Sequence, residues 1–376
     1  MKRALLRDRI LVAVCSAIVA AIVVAISVTF SSSPKIAVDT IELPVATASK
    51  DRWAVQFLGD TMLGDGAQPY LDANGYEWPL SGVRSLLDGD VVVANAEAPI
   101  SLQTLPANPG KPYSYNSDPR AAAALRAAGV DVLGLGNNHS MDMGLAGLLD
   151  TVGFAAANDL AAFGAGENLA QAERPLMLRS AMGTVGVVAL GENYGKTSKA
   201  AIDTPGTVVL SPRTVQRGFD LAKAGGADWV VGYVHWGDNY TETMTQQRYW
   251  AQMFVDAGYD LVVGTGPHIS APIEFIDGVP VAFSIGNFVF GAPGRFEGFG
   301  KEGFGLSLSV ELSRAAPAQL AVRCFLTDNL KTGFLPQPCN EEETQAIMPT
   351  INTGLIVNGN TARISCGCFK SVSDVE

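Results

Sequence analysis

Basic residues are scarce in this chain of 376 residues, where 26 Lys and Arg stand against 37 Asp and Glu. Lys2, Arg3, Arg7, Arg9 and Asp8 fall in the first thirty residues, so residues 31–376 keep 22 basic against 36 acidic side chains, a net charge of −14. A body of that sign repels a phosphate backbone, which excludes nucleic acid as a partner. The five tryptophans are scattered and form no aromatic stripe of the kind an extracellular polymer-binding module would present. Internal repeats are absent. The composition, 48% hydrophobic with 40 glycines, also excludes a disordered chain and leaves room for one large domain or two modest ones.

The longest apolar run lies at the N-terminus. After the basic segment 1–9, Ile10 to Phe30 is broken only by Ser16, Ser27 and Thr29. About 20 apolar residues in a helix cross a bilayer core, and a cleavable signal usually has a shorter core. Residues 10–30 are therefore expected to form a transmembrane signal anchor. Basic residues before it keep the N-terminus cytoplasmic and send the remainder out of the cell, a single-pass protein with the cytoplasmic membrane as its partner. Residues 31–52 read as a stalk. Of the five cysteines, Cys15 lies in the apolar run, while Cys324, Cys339, Cys366 and Cys368 crowd into the last sixty residues. Four cysteines in an exported segment predict two disulfides. Cys366 and Cys368 are too close for an easy mutual bond, so each is expected to pair with Cys324 or Cys339.

From Trp53 onward, short apolar runs alternate with helical stretches. Ala54–Leu58, Val91–Ala94, Val130–Leu135, Val185–Leu190, Trp229–Val234, Leu261–Val263 and Val279–Ser284 read as strands buried on both faces, because their apolar residues do not alternate with polar ones. Pro119 and Pro212 stand at helix starts before Arg120–Ala128 and the stretch to Gly225, and Thr245–Ala257 ends at Gly258. Strand alternating with helix predicts an α/β fold over residues 53–291. After Gly291 the character changes: Gly305–Leu312, Leu320–Phe325 and Ala362–Cys366 predict a β-rich C-terminal extension, residues 292–376, with no helix between its strands, pairing onto the main sheet.

The three histidines, His139, His235 and His268, each follow directly on an apolar strand. Two carboxylates share that placement: Asp60 ends one strand, and Glu97 follows another. Ligands in α/β sheets collect at the carboxyl ends of strands, where loops converge. One histidine at a strand end is usually just a satisfied polar residue. When every histidine in a chain obeys the rule, a metal centre becomes the better explanation, and imidazole with carboxylate suits zinc, manganese or iron.

The ordered set Gly59-Asp60, Asn95-Ala96-Glu97, Asn137-Asn138-His139, His235-Trp236-Gly237, Gly264-Thr265-Gly266-Pro267-His268 and Gly286-Asn287-Phe288 resembles the CapA-type (PGA_cap) family of poly-γ-glutamate capsule synthesis proteins, over residues 53–291. That resemblance implies a calcineurin-like metallophosphoesterase fold, a four-layer αββα sandwich. It implies Asp60, Glu97, Asn138, His235 and His268 as ligands of a divalent metal that polarises the scissile group and acidifies water. It implies His139 as the neighbouring acid or transition-state stabiliser. The chain departs from the broader phosphoesterase pattern at Met62, which stands where a histidine is usual, and in the reduced Gly264–His268 motif. One complete metal site is expected, and a second is left open, with Asp65 or Asn137 as the residues able to fill a gap. Trp236 is either a pocket wall or core packing, and Asn287 either orients a ligand or caps a turn. Lys111, Lys196 and Arg295 are loop cations placed to receive an anionic substrate.

Two functions follow. One is metal-dependent hydrolysis of a phosphoester, or of an amide in an anionic envelope polymer. The other is a non-catalytic accessory subunit working with membrane proteins of capsule or polymer synthesis and export.

Overall fold

The computed structural model describes residues 40–44, 52–192, 198–313, 316–367 and 369. The expected anchor at 10–30 and Lys196 lie outside them, and no helix among the described residues is long and apolar enough to cross a membrane. Two large mixed sheets carry the architecture. The first is ordered β1 (Ile41–Pro44), β7 (Leu176–Ser180), β8 (Gly183–Gly191), β10 (Trp229–His235), β11 (Leu261–Thr265), β13 (Val279–Ala282) and β12 (Ile273–Ile276). The second runs β18 (Ile356–Asn358), β19 (Thr361–Ser365), β16 (Gln319–Leu326), β15 (Phe304–Ser313), β2 (Arg52–Met62), β3 (Val91–Ala96), β4 (Val132–Gly134) and β5 (Ala161–Phe163). Strand β14 (Asn287–Phe290) adds to β2 and β17 (Gln337–Pro338) to β16, while β6 (Ala165–Gly166) and β9 (Gly206–Thr207) form a separate ribbon.

Successive side chains of a strand point to opposite faces, and here both faces are apolar. Val91 and Val93 join an apolar cluster that also takes Val231 and Tyr233 of the first sheet. Their neighbours Val92 and Ala94 join another with Ala121 and Leu125 of the helix Arg120–Ala128. On β10, Val230 and Val234 pack with Val215 and Phe254 of the helices Pro212–Ala224 and Thr245–Ala257. The helices fall where the proline and glycine punctuation put them.

One device recurs at the start of the central parallel strands. Asp90, Asp131, Asp228 and Asp260 each precede a strand. The backbone N–H of each donates to the neighbouring strand, at Ala54, Val92, Thr184 and Val230 respectively. Each carboxylate then accepts the N–H of that same residue, at 2.7 to 3.0 Å. The side chain supplies one extra rung before the ladder begins, fixing where β3, β4, β10 and β11 start and hence where their far ends stop.

Three features differ from expectation. Within the 31–52 stretch, Ile41–Pro44 forms β1 and pairs in parallel with β7, so those residues belong to the sheet. The C-terminal strands do join the main sheet, β15 lying antiparallel to β2, but a helix, Glu341–Ile351, stands between them. Asn340 and Glu343 form a reciprocal capping box at its start. Finally, Cys324 is bonded to Cys339 with 5.4 Å between their Cα atoms, which overturns the cross-pairing with Cys366. The reason is register: β17 lies against β16, and the Cys339 N–H donates to the Cys324 carbonyl. Cys368 lies outside the described residues.

Candidate metal centre

The ends of the tied strands meet. Asp60 lies near the end of β2, Asn95 within β3 and Glu97 just after it, Asn137 to His139 after β4, His235 at the end of β10 and His268 in the turn after β11. The Asp60, Glu97 and His268 ligand atoms all lie within 4.8 Å of one another, and all three residues are buried. His268 Nδ1 is 3.2 Å from Asp60 Oδ2 and 3.8 Å from Glu97 Oε2. His235 Nε2 is 3.5 Å from Glu97 Oε1, and its Nδ1 is 3.8 Å from Asp60 Oδ1. Glu97 thus has one oxygen towards each imidazole.

Amides brace these groups. Asn137 Nδ2 donates to the Ala96 carbonyl and to Asn95 Oδ1, and Asn137 Oδ1 accepts from the His139 N–H and Ser140. That fixes Asn95 with its Nδ2 towards Asp60 Oδ1 at 2.7 Å. The Gly266 N–H donates to the other Asp60 oxygen. Every polar atom of the Asn137 side chain is so engaged, which makes it a brace instead of a gap-filling ligand. Asn287 pairs with Asp60 in the parallel register of β14 and β2, and its Oδ1 is 2.8 Å from His268 Nδ1. From the start of β14 it thus bonds His268 directly.

At this centre two buried oxygens lack partners among the described residues: Glu97 Oε2 and Asn138 Oδ1 have no hydrogen-bond donor. Buried acceptors without donors are rare, and a bound cation or an ordered water satisfies such groups. Burial first, and then the Asp60 charge, push Glu97 well above the usual carboxylate range. Burial acts on Asp60 too, but the bond and charge of His268, followed by His235 and Asn95, outweigh it and hold Asp60 below that range. His235 is pushed down to about 3, chiefly by burial against the opposing Asp60 charge, so its ring is neutral, as ligation requires. A donor set of carboxylate, amide oxygen and neutral imidazole fits a divalent first-row cation.

His139 sits beside this group, its Nε2 3.9 Å from Glu97 Oε1. Its Nδ1 lies 2.6 Å from Asp142 Oδ2. The Lys111 ammonium bonds the other Asp142 oxygen and the Asn138 carbonyl and also lies 3.2 Å from Nδ1; the shorter carboxylate contact assigns the proton to Nδ1, and Nε2 faces the centre. Burial, opposed by Asp142, holds His139 below the ordinary imidazole range. Asp142 escaped the sequence reading, although His-x-x-Asp in a turn was the signal. Lys111 belongs to this brace and is not a free receiver of anions.

Met62 packs with Ala98 and Phe290 in an apolar cluster, so the usual histidine place is filled by hydrocarbon. Trp236 is fully buried, stacked on Phe283 and bonded to its carbonyl, which settles it as core packing. Asp65, exposed, borders a cavity of about 270 Å³ that opens onto His268 and is also lined by Tyr113, Ser114, Tyr115, Tyr240 and Arg295. Of six non-glycine residues with left-handed backbone, three border it: Asp65 (φ 53°), Tyr240 (φ 58°) and His268 (φ 62°). Strain of this kind collects at functional sites.

The chain is 31% identical over 249 residues to "PGA biosynthesis protein CapA" of Bacillus subtilis (strain 168), covering 65% of each. It is 29% identical over 256 residues to "Capsule biosynthesis protein CapA" of Bacillus anthracis, covering 66% of this chain and 62% of that protein. The chain thus matches less than two thirds of the length of either relative. Among solved structures, Haemophilus influenzae NAD nucleotidase (NadN) overlaps 72% of this chain and 49% of its own at a TM-score of 0.39 and 13% identity, too shallow to carry an inference. Residues 54–292, which contain all six motifs, match the family described as "Bacterial capsule synthesis protein PGA_cap", and the chain belongs to that family.

Proposed function

We propose that the domain is a metal-dependent hydrolase acting on a phosphoester or on an amide of an anionic envelope polymer, in the service of capsule or poly-γ-glutamate synthesis. In this reading Asp60, Glu97, Asn138, His235 and His268 hold a zinc, manganese or iron ion, with Asn95, Asn137 and Asn287 fixing their orientation. The single observation that carries it is the pair of buried, donorless oxygens on Glu97 and Asn138 beside the Asp60, His235 and His268 side chains. A divalent cation there supplies Lewis acidity to the scissile group. His139, neutral and aimed by Asp142, takes a proton at Nε2 from the attacking water and returns it to the leaving group, so its role begins as a base and ends as an acid. The shared apolar cluster and the separate helix-facing clusters support a four-layer αββα packing like that of the metallophosphoesterases. The basic segment and apolar run of residues 1–30 support tethering to the cytoplasmic membrane, with the domain outside and membrane proteins of polymer synthesis as partners.

Elemental analysis tests the ligand set. Bound metal is expected in the wild type, lost from His235→Ala and His268→Ala, and kept in His139→Ala. Turnover of p-nitrophenyl phosphate, bis-p-nitrophenyl phosphate and γ-linked glutamate peptides separates the substrate classes. The accessory-subunit reading draws on Met62 in its apolar cluster, which removes one expected ligand. It predicts bound metal with no turnover of any of the three.

A further inference from the structure

Three cations were placed by sequence to meet an anion, and only one is left to do so in the described residues. Lys196 lies outside them, and Lys111 is tied to Asp142 and the Asn138 carbonyl. Arg295 lines the cavity beside His268, and its guanidinium lies over the Tyr113 ring at 4.5 Å. It enters no ion pair with a described carboxylate, in a chain where acidic residues far outnumber basic ones. Stacking on an aromatic face fixes the plane of a guanidinium and leaves its fork of N–H donors open. The segment is held from behind: Phe296, next to Arg295, meets the Tyr240 ring edge-on, and the Tyr240 N–H donates to the Pro267 carbonyl, next to His268. Ser114 Oγ, buried in the same lining, has no hydrogen-bond partner and is a second donor for an oxyanion. Asp65 also borders the cavity, and its charge limits how much negative charge the mouth accepts.

We propose that Arg295, seated on Tyr113 and joined by Ser114, is an anion-receiving subsite, so the substrate carries a carboxylate or phosphate group next to the bond that is cut. This rests on the hydrolase reading of the centre. It sorts the candidate substrates: neutral amides and esters lack the group that the subsite holds, and Asp65 favours a single negative charge over several.

Calorimetric binding of glutarate and of inorganic phosphate to the full-length protein, with glutaramide as the neutral control, tests it. Arg295→Ala is expected to weaken one or both anions by about tenfold or more, the loss of a charge-assisted contact, with metal content and glutaramide binding unchanged. Arg295→Lys restores only part, because it keeps the charge and loses the fork. Asp65→Asn tightens the anions. The anion that loses more identifies a carboxylate or a phosphate as the natural group. Wild-type binding by Arg295→Ala, or no binding of either anion by the wild type, overturns the proposal. A wild type that holds no metal yet binds anions through Arg295 overturns the hydrolase reading alone.

Discussion

Asp142 Oδ2 lies 2.6 Å from His139 Nδ1, and this contact sets which nitrogen of His139 meets the candidate metal centre. Replacing the carboxylate with an amide keeps the shape and removes the charge that favours a protonated ring. Asp142→Asn is expected to lower kcat, and His139→Ala to lower it by about 10²–10⁴-fold. Metal content, measured alongside, should match the wild type in both. A fall in kcat with loss of metal would make His139 a ligand and not a proton carrier.

Gly59 cannot gain a side chain. A Cβ there would stand 1.7 Å from the Gly286 carbonyl oxygen, the same oxygen that accepts the Asp60 N–H. Gly59→Ala must push β14 away from β2, at a cost of about 1–3 kcal/mol or more. A lowered Tm together with weakened metal binding is the expected outcome, since Asn287 and Asp60 separate in the same movement. An unchanged Tm would mean that the two strands tolerate spreading.

Asp260 gives a pH dependence far from the centre. Burial raises its carboxyl to about 6, although it accepts the Val230 N–H and feels Lys223. A carboxyl raised above its unfolded value of about 3.9 binds more protons in the folded state, so stability falls as pH rises between about 4 and 6. Asp260→Asn keeps an acceptor for Val230 without the charge. It should therefore be the more stable protein at pH 7, by at most about 3 kcal/mol, with the gap closed below pH 4. Denaturant titrations at pH 4 and pH 7 measure this, and equal differences at both would refute it.

The Cys324–Cys339 bond closes a loop of 15 residues. A loop of that size is worth about 3 kcal/mol, so the double serine variant should unfold at correspondingly lower denaturant. Non-reducing peptide mapping should recover the 324–339 pair, and recovery of Cys366 with either partner would restore the discarded pairing.

The strand ends were legible because buried parallel strands write themselves as unbroken β-branched runs, and because each of the three histidines stands at the end of one or within five residues of it. The helices were legible through Pro119, Pro212 and Gly258. What remained hidden depends on partners that spacing does not encode. Asn95 stands in a quoted motif, yet its role depends on Asn137, forty-two residues away, being locked by the Ala96 carbonyl. Lys111 read as a surface cation, since nothing in its own neighbourhood foretells Asp142. The helix Glu341–Ile351 had a legible start in Asn340, Glu343 and its acidic first turn, obscured by Pro349 within it. β1 is four residues long, too short to announce itself.

The amide chain from Asn137 through Asn95 to Asp60 has one further result. Carboxamides neither gain nor lose protons across the pH range in which proteins work, and the Ala96 carbonyl dictates which way round each one sits. The scaffold that aims Asp60 therefore holds the same polarity in acid as in alkali. Acidification would therefore release the proposed cation through the imidazoles and carboxylates themselves, and restoring the pH should reload it without refolding.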